Sequence, residues 1–137
     1  MKKYILDACA LIAVFNQENG AETVNEIIEK SKSKSAAVYM NKINLLEVYY
    51  GILREYGETT ANNIIDKVEA SPIIITDKIS DNIFKHAGYL KANYKISLAD
   101  SIILAQSIAL DAVVISSDHH EFDIIDENEN IEFLWFR

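Results

Sequence analysis

Four carboxylates in this 137-residue chain occupy places where an ionised group is costly, and any chemistry must be argued from them first. Asp7 follows the apolar run Tyr4-Ile5-Leu6, and Asp118 follows Val113-Val114-Ile115-Ser116-Ser117. Each therefore stands just past the carboxyl end of a strand, where open α/β sheets bind their ligands. Glu47 lies between Leu46 and Val48 inside an apolar helical stretch, and an unpaired charge buried in such a place costs several kcal/mol. Asp100 opens a second apolar helix within Ser97-Leu98-Ala99-Asp100.

Each of the four also has an ordinary structural explanation. Asp7 can cap a helix over Ala8 to Phe15, Asp118 can shape a turn, and Glu47 can pair with a lysine or arginine. Ser97 and Asp100 have the spacing of a capping box, and one carboxylate oxygen can cap while the other meets a cation. Taken jointly, the four point to a shared site. Helices that cross over parallel strands return to the same sheet edge, so two acids at strand ends and two on apolar helices can converge there. Such a cluster needs a counter-charge, because close carboxylates repel one another strongly. All-oxygen donors suit Mg²⁺ or Mn²⁺ better than zinc.

The elements that must hold these residues can be read from periodicity. Strand-like segments at Tyr4 to Leu6, Ala37 to Met40, Ile73 to Thr76, Ala112 to Ser116 and Ile131 to Phe136 alternate with helical ones. The helical pattern covers Ala21 to Lys30, Asn41 to Tyr56, Thr59 to Glu69, Ser80 to Tyr94 and Leu98 to Leu110. This alternation predicts βαβ units around a buried parallel sheet. Apolar residues surround the helices at Asn41 to Tyr56 and Leu98 to Leu110, which predicts that both are buried on every side.

Composition narrows the class. Half of the residues are hydrophobic and 25% are charged, as expected for one globular domain spanning residues 1–137. With one proline and four glycines there is little material for the many tight turns of an all-β protein. The formal charge of −8 argues against a broad basic surface for a polyanion, although carboxylates that hold divalent cations present a locally positive face. Lys30, Lys32 and Lys34 read as a solvated helix end. Cys9, the single cysteine, excludes an internal disulfide and fits a reducing cytoplasm. Lys2-Lys3 and the apolar run to Phe15 imitate a secretory leader, but Asp7 interrupts it, and no membrane attachment is expected.

The segments Leu6-Asp7-Ala8-Cys9-Ala10-Leu11, Asn44-Leu45-Leu46-Glu47, Leu98-Ala99-Asp100 and Ile115-Ser116-Ser117-Asp118 with Phe122 resemble the PIN-domain nucleases. In size the chain is most similar to the VapC-type toxins of toxin–antitoxin pairs. The resemblance implies an α/β/α sandwich with a central parallel sheet of about five strands. It implies that Asp7, Glu47, Asp100 and Asp118 are both the catalytic and the metal-binding quartet, with Mg²⁺ or Mn²⁺ as cofactor. Ser116 would take the place of the family's usual Thr or Ser, and Glu121 and Asp123 become supporting candidates around the fourth ligand. Implied too are an RNA substrate, a cognate antitoxin and a homodimer. Cys9 departs from the family's more frequent Ser, so a hydroxyl hydrogen bond near Asp7 would be either missing or replaced by a weak thiol contact.

His119 and His120 are read as residues of an exposed loop, and His86 as structural or superficial. Other classes have distinct signatures. A receiver-like phosphoacceptor domain wants adjacent acids after its first strand, whereas Ala8 and Cys9 follow Asp7, and Asp77-Lys78 is its only hint. A phosphatase with Asp7 as nucleophile wants an Asp where Cys9 stands. A catalytically silent binding module on the same fold is separated from an enzyme only by assay.

Overall fold

A computed structural model describes all 137 residues. Five strands, β1 (Lys2–Leu6), β2 (Ala36–Asn41), β3 (Ile74–Thr76), β4 (Val113–Ser116) and β5 (Phe133–Trp135), pair in the order β3-β2-β1-β4-β5. Every pairing is parallel. Seven helices connect them: α1 (Ala8–Asn16), α2 (Ala21–Lys32), α3 (Lys42–Tyr56), α4 (Glu58–Ala70), α5 (Asp81–Asn93), α6 (Leu98–Leu110) and α7 (His119–Asn128). The expected sandwich with its five-stranded parallel sheet is present.

Side chains alternate across the pleat and so divide the interior in two. On β1 and β4, Leu6 and Ile115 face one core, which α1 to α4 complete through Ala10, Val24, Val48, Ile64 and others. Ile5 and Val114 face the second, closed by Leu90, Ile103, Leu104, Phe122 and Ile125 of α5, α6 and α7. The chain builds outward from β1 to β2 and β3, then returns to lay β4 on the other side of β1. The carboxyl ends of β1 and β4 are therefore the switch point, where connections diverge to opposite faces and leave a crevice.

Two expectations are corrected. α3 is buried on one face only: Asn44, Leu45, Val48 and Ile52 point inward, while Leu46, Tyr50, Leu53 and Tyr56 are exposed. Counting apolar residues round a helix registers the face that lacks a neighbour in the monomer as well as the face that has one. α6 matches its expected burial from Ala99 to Ser107, with Leu98 and Ile108 exposed at its two ends. The second correction concerns His119 and His120, which open helix α7 instead of lying in a loop. The helical signal was there in the buried pair Phe122 and Ile125, three residues apart, but the acidic surroundings masked it.

Gly20 ties the start of α2 to the last strand. Its φ of +90° lies in the left-handed region, and an added Cβ would sit 2.1 Å from the backbone oxygen of Phe136. Gly88, within α5, has nothing within 4 Å of that position. Gly20→Ala is expected to lower unfolding free energy by about 2 kcal/mol or more. Gly88→Ala is expected to raise it by roughly 0.5–1 kcal/mol. Urea denaturation of the two variants checks both signs.

Candidate metal centre

Asp7 is placed by two local demands that agree. It ends β1 in extended conformation and N-caps α1, its Oδ1 accepting from the Ala10 amide at 2.8 Å. Its other oxygen accepts from the Ser116 hydroxyl, and the Cys9 thiol lies 3.0 Å from both. Of the two outcomes open at Cys9, the structure has the thiol contact. Ser116 Oγ also accepts from the Asp118 amide at 3.0 Å, so one hydroxyl links the acids beyond β1 and β4. With 3% of its surface exposed, Asp7 cannot be solvated from outside.

Asp118 repeats the pattern at the start of α7, where its Oδ1 accepts from the Glu121 amide at 3.1 Å. Glu121 thus stands in the turn that Asp118 caps. Asp100 sits in the first turn of α6, fixed by the Ser97 hydroxyl, which accepts from the Asp100 amide at 3.1 Å. Capping and pocket roles therefore coexist at Asp7 and Asp118, whereas at α6 the cap is Ser97 and no return bond from the Asp100 carboxylate closes the box. Oxygens of Asp100, Asp118 and Glu121 all lie within 4.8 Å of one another. Asp7, Glu47, Asp100 and Asp118 line one cleft together with Ala8, Cys9, Ile12 and Tyr50.

The quartet is thus brought together, and the relation of its members is specific. Glu121, read as a supporting candidate, belongs to the tightest group. Glu47 lines the cleft beside that group, half-buried, with Asn44 donating to its Oε1 at 3.3 Å. Asn44 is fully buried and its own Oδ1 has no partner. Asp123 takes the His119 ring at 2.8 Å and is not among the residues that line the cleft. Asn44 and Ser117 were missed from the sequence. A polar residue three positions before Glu47 on an apolar helix was the available sign for Asn44, and Ser117 had none.

A buried polar chain sets the distance between the two helices that carry Glu47 and Asp100. Asn41 ends β2 and caps α3 by accepting from the Ile43 amide at 2.8 Å, while its amide donates to Gln106 of α6 at 3.0 Å. Gln106 donates in turn to Thr76 at the end of β3. Satisfied buried amides of this kind specify one arrangement because any slip leaves a donor unpaired.

No lysine or arginine forms an ion pair with any of the five acids. The electrostatic consequence is consistent. Burial raises Asp7 to about 6, against the donors that favour its charge and with a further contribution from Asp118. Burial, then a hydrogen bond and repulsion from Glu121, pushes Asp100 up to about 9. Glu47 is raised by burial and by the charge of Glu121. The Cys9 thiol is pushed to about 12 by burial and by Asp7, so it stays protonated and acts as a donor. Three acids within one ion's reach, held against their own repulsion and lacking a basic partner, fit an all-oxygen divalent-cation site.

Asp77, the hint for a phosphoacceptor domain, lies beyond edge strand β3 in a separate groove with Asn41, Lys42 and Ile79. It does not join the cleft.

Fold and cleft together define an α/β protein with an acidic, oxygen-rich cleft at its topological switch point. The PIN domain family model matches residues 4–128, and the chain belongs to that family. Comparison with curated protein sequences finds no match. Among solved structures the chain is similar to one in VapBC2 from Rickettsia felis bound to a DNA fragment from their promoter, with 19% identity and a TM-score of 0.76. That match covers 97% of this chain and 98% of the other. DNA-bound VapBC from Salmonella typhimurium matches over 100% of both chains at 16% identity, with a TM-score of 0.75. VapC20 of Mycobacterium tuberculosis, described as a sarcin-ricin loop cleaving toxin, matches at 13% identity with a TM-score of 0.68, over 88% of this chain and 94% of that one.

The raised acids make stability depend on pH in a definite direction. For a carboxyl whose folded value exceeds its unfolded one, the folded state holds more protons between the two values, so stability falls as pH rises through that window. For Asp7 the window runs from 3.8 to about 6, and for Asp100 from 3.8 to about 9. In chelator, the melting temperature is expected to fall from pH 5 to pH 8. Asp7→Asn should flatten the lower part of that slope and gain on the order of 1–3 kcal/mol at pH 7. Calorimetric scans across pH check the sign.

Proposed function

We propose that the protein is a metal-dependent endoribonuclease, the toxin of a VapC-type toxin–antitoxin pair. One observation carries the reading: Asp100, Asp118 and Glu121 present oxygens within 4.8 Å of one another, without a basic partner, in the cleft that Asp7 and Glu47 line. Membership of the PIN-domain family and likeness to VapBC structures support it.

Asp100, Asp118 and Glu121 would hold Mg²⁺ or Mn²⁺, with Asp7 behind them. Such a cation, when bound, offsets charge on the phosphate and lowers the pKa of water. The chain's own groups do the positioning. Ser116 and Cys9 donate to Asp7 and fix its carboxylate at the edge of the cleft. Asn44 aims Glu47, whose raised affinity for a proton suits it to accept one from the attacking water at Oε. Water attacking the phosphorus of an RNA phosphodiester forms a P–O bond as the bond to the 3′-oxygen breaks, and that oxygen takes a proton from solvent, which leaves a 5′-phosphate and a 3′-hydroxyl. Asp123, engaged with His119, takes no direct part.

The reading places the protein in the cytoplasm as a homodimer held inactive by a cognate antitoxin. No helix is long and apolar enough to cross a membrane.

With Mg²⁺ or Mn²⁺ the purified protein is expected to cut single-stranded RNA, and excess chelator to abolish cutting. Asp100→Asn and Glu121→Gln should each lower kcat by about a hundredfold or more, with loss of Mn²⁺ binding by calorimetry. Full activity in chelator, or in Asp100→Asn, defeats the proposal. Mn²⁺ binding with no cleavage of any RNA would make the chain a silent binding module.

A further inference from the structure

Beside the acids, four aromatic rings form a ladder from the core to the surface. Buried Phe122 lies 5.5 Å from Phe133, Phe133 stacks on Trp135 at 5.0 Å, and Trp135 stacks on the His119 imidazole at 4.0 Å with 21° between their planes. The last rung is held on every side but one. His119 Nδ1 meets Asp123 at 2.8 Å and Nε2 meets the Arg137 carbonyl at 3.0 Å, while Trp135 covers one ring face. Yet 47% of the side chain remains exposed. With both nitrogens engaged and one face covered, what His119 presents outward is its other face.

Position gives that face a purpose. His119 follows Asp118 directly, and Trp135 pairs in register with Ser116, whose hydroxyl bonds Asp7. Arg137, whose carbonyl fixes His119, donates to Ser117 at 3.2 Å, and Ser117 lies 3.5 Å from the Cys9 sulfur in the cleft. The ladder thus ends next in sequence to Asp118 and is joined through Arg137 and Ser117 to Cys9, which lines the acidic cleft. A ring fixed on both edges is poorly placed for proton transfer but well placed for stacking, since little freedom remains to be lost.

We propose that the outer face of His119, backed by Trp135, is a stacking platform for an unpaired base of the nucleic-acid substrate beside the scissile phosphate, a subsite that rests on the ribonuclease reading above. Proteins that take single strands stack splayed bases on aromatic and imidazole rings, with tolerance for base identity because every base has a π-face. An exposed stacking surface also answers the charge problem. On a chain of net charge −8, affinity for RNA must come in part from contacts other than phosphate pairing.

The test measures binding of a short labelled oligoadenylate by anisotropy, with Ca²⁺ in place of Mg²⁺. A matched abasic ribose-phosphate oligomer is the control. Trp135, the only tryptophan, reports occupancy through its emission. His119→Ala is expected to weaken oligoadenylate binding by about 5- to 100-fold and leave the abasic oligomer unchanged. His119→Phe, which keeps a stacking face and loses both ring nitrogens, should restore affinity to within about threefold. In cleavage assays His119→Ala should raise KM and spare kcat. Equal oligoadenylate affinity in His119→Ala and the unaltered protein overturns the proposal, as does equal weakening for the abasic oligomer. Base-dependent binding in a protein that cuts no RNA removes the ribonuclease reading and leaves the platform. Cleavage with KM unmoved in His119→Ala removes the platform and leaves the ribonuclease.

Discussion

Five carboxyl groups meet at the carboxyl ends of β1 and β4 with no lysine or arginine among them, and the surrounding structure keeps them from separating. Burial raises Asp7, Glu47 and Asp100, and the charge of a neighbouring acid adds to each shift, so the cluster opposes its own ionisation. Three of the acids are anchored as parts of helix starts: Asp7 and Asp118 cap α1 and α7 directly, and Asp100 stands in the turn that Ser97 caps. The backbone that would have to move to relieve the repulsion is the backbone that begins these helices. Function and local folding thus compete at the same residues, as expected where a site needs a bound counter-charge.

The parallel sheet makes this possible. Only at the switch point do two adjacent strands send their connections to opposite faces, leaving amides and carboxylates unroofed between them. β1 delivers Asp7 and β4 delivers Ser116 and Asp118 to that crevice, and hydrogen bonds from Ser116 join the two strand ends. The helices bring the remainder from farther off. Asn41, Gln106 and Thr76 tie the start of α3 to α6, so the spacing of Glu47 and Asp100 is set by polar contacts inside an otherwise apolar interior.

The two sides of the cleft differ in character. Toward β5 stand an aromatic ladder and Arg137, which donates to Ser117 and Glu18, and the rings there are held by stacking or hydrogen bonds. Toward α3 the surface is apolar and unpartnered, with Leu46 and Tyr50 exposed one turn apart near Glu47. Structures with 13–19% identity share this backbone almost throughout. At such divergence the fold persists because packing tolerates exchange among apolar residues of similar volume.

The sequence by itself determined the layered α/β fold, the parallel sheet and the candidacy of Asp7, Glu47, Asp100 and Asp118. Alternation of strand and helix patterns is a local signal, and a carboxylate in an apolar run stands out without any coordinates. It could not rank Glu121 above Asp123, find α7, or tell which face of α3 lies open. Those outcomes depend on partners far apart in the chain: Glu121 against Asp100, Phe122 against Phe133, Trp135 beneath His119. Local periodicity fixes which face of an element is apolar, but only packing in three dimensions decides what, if anything, covers it and which charges it forces together.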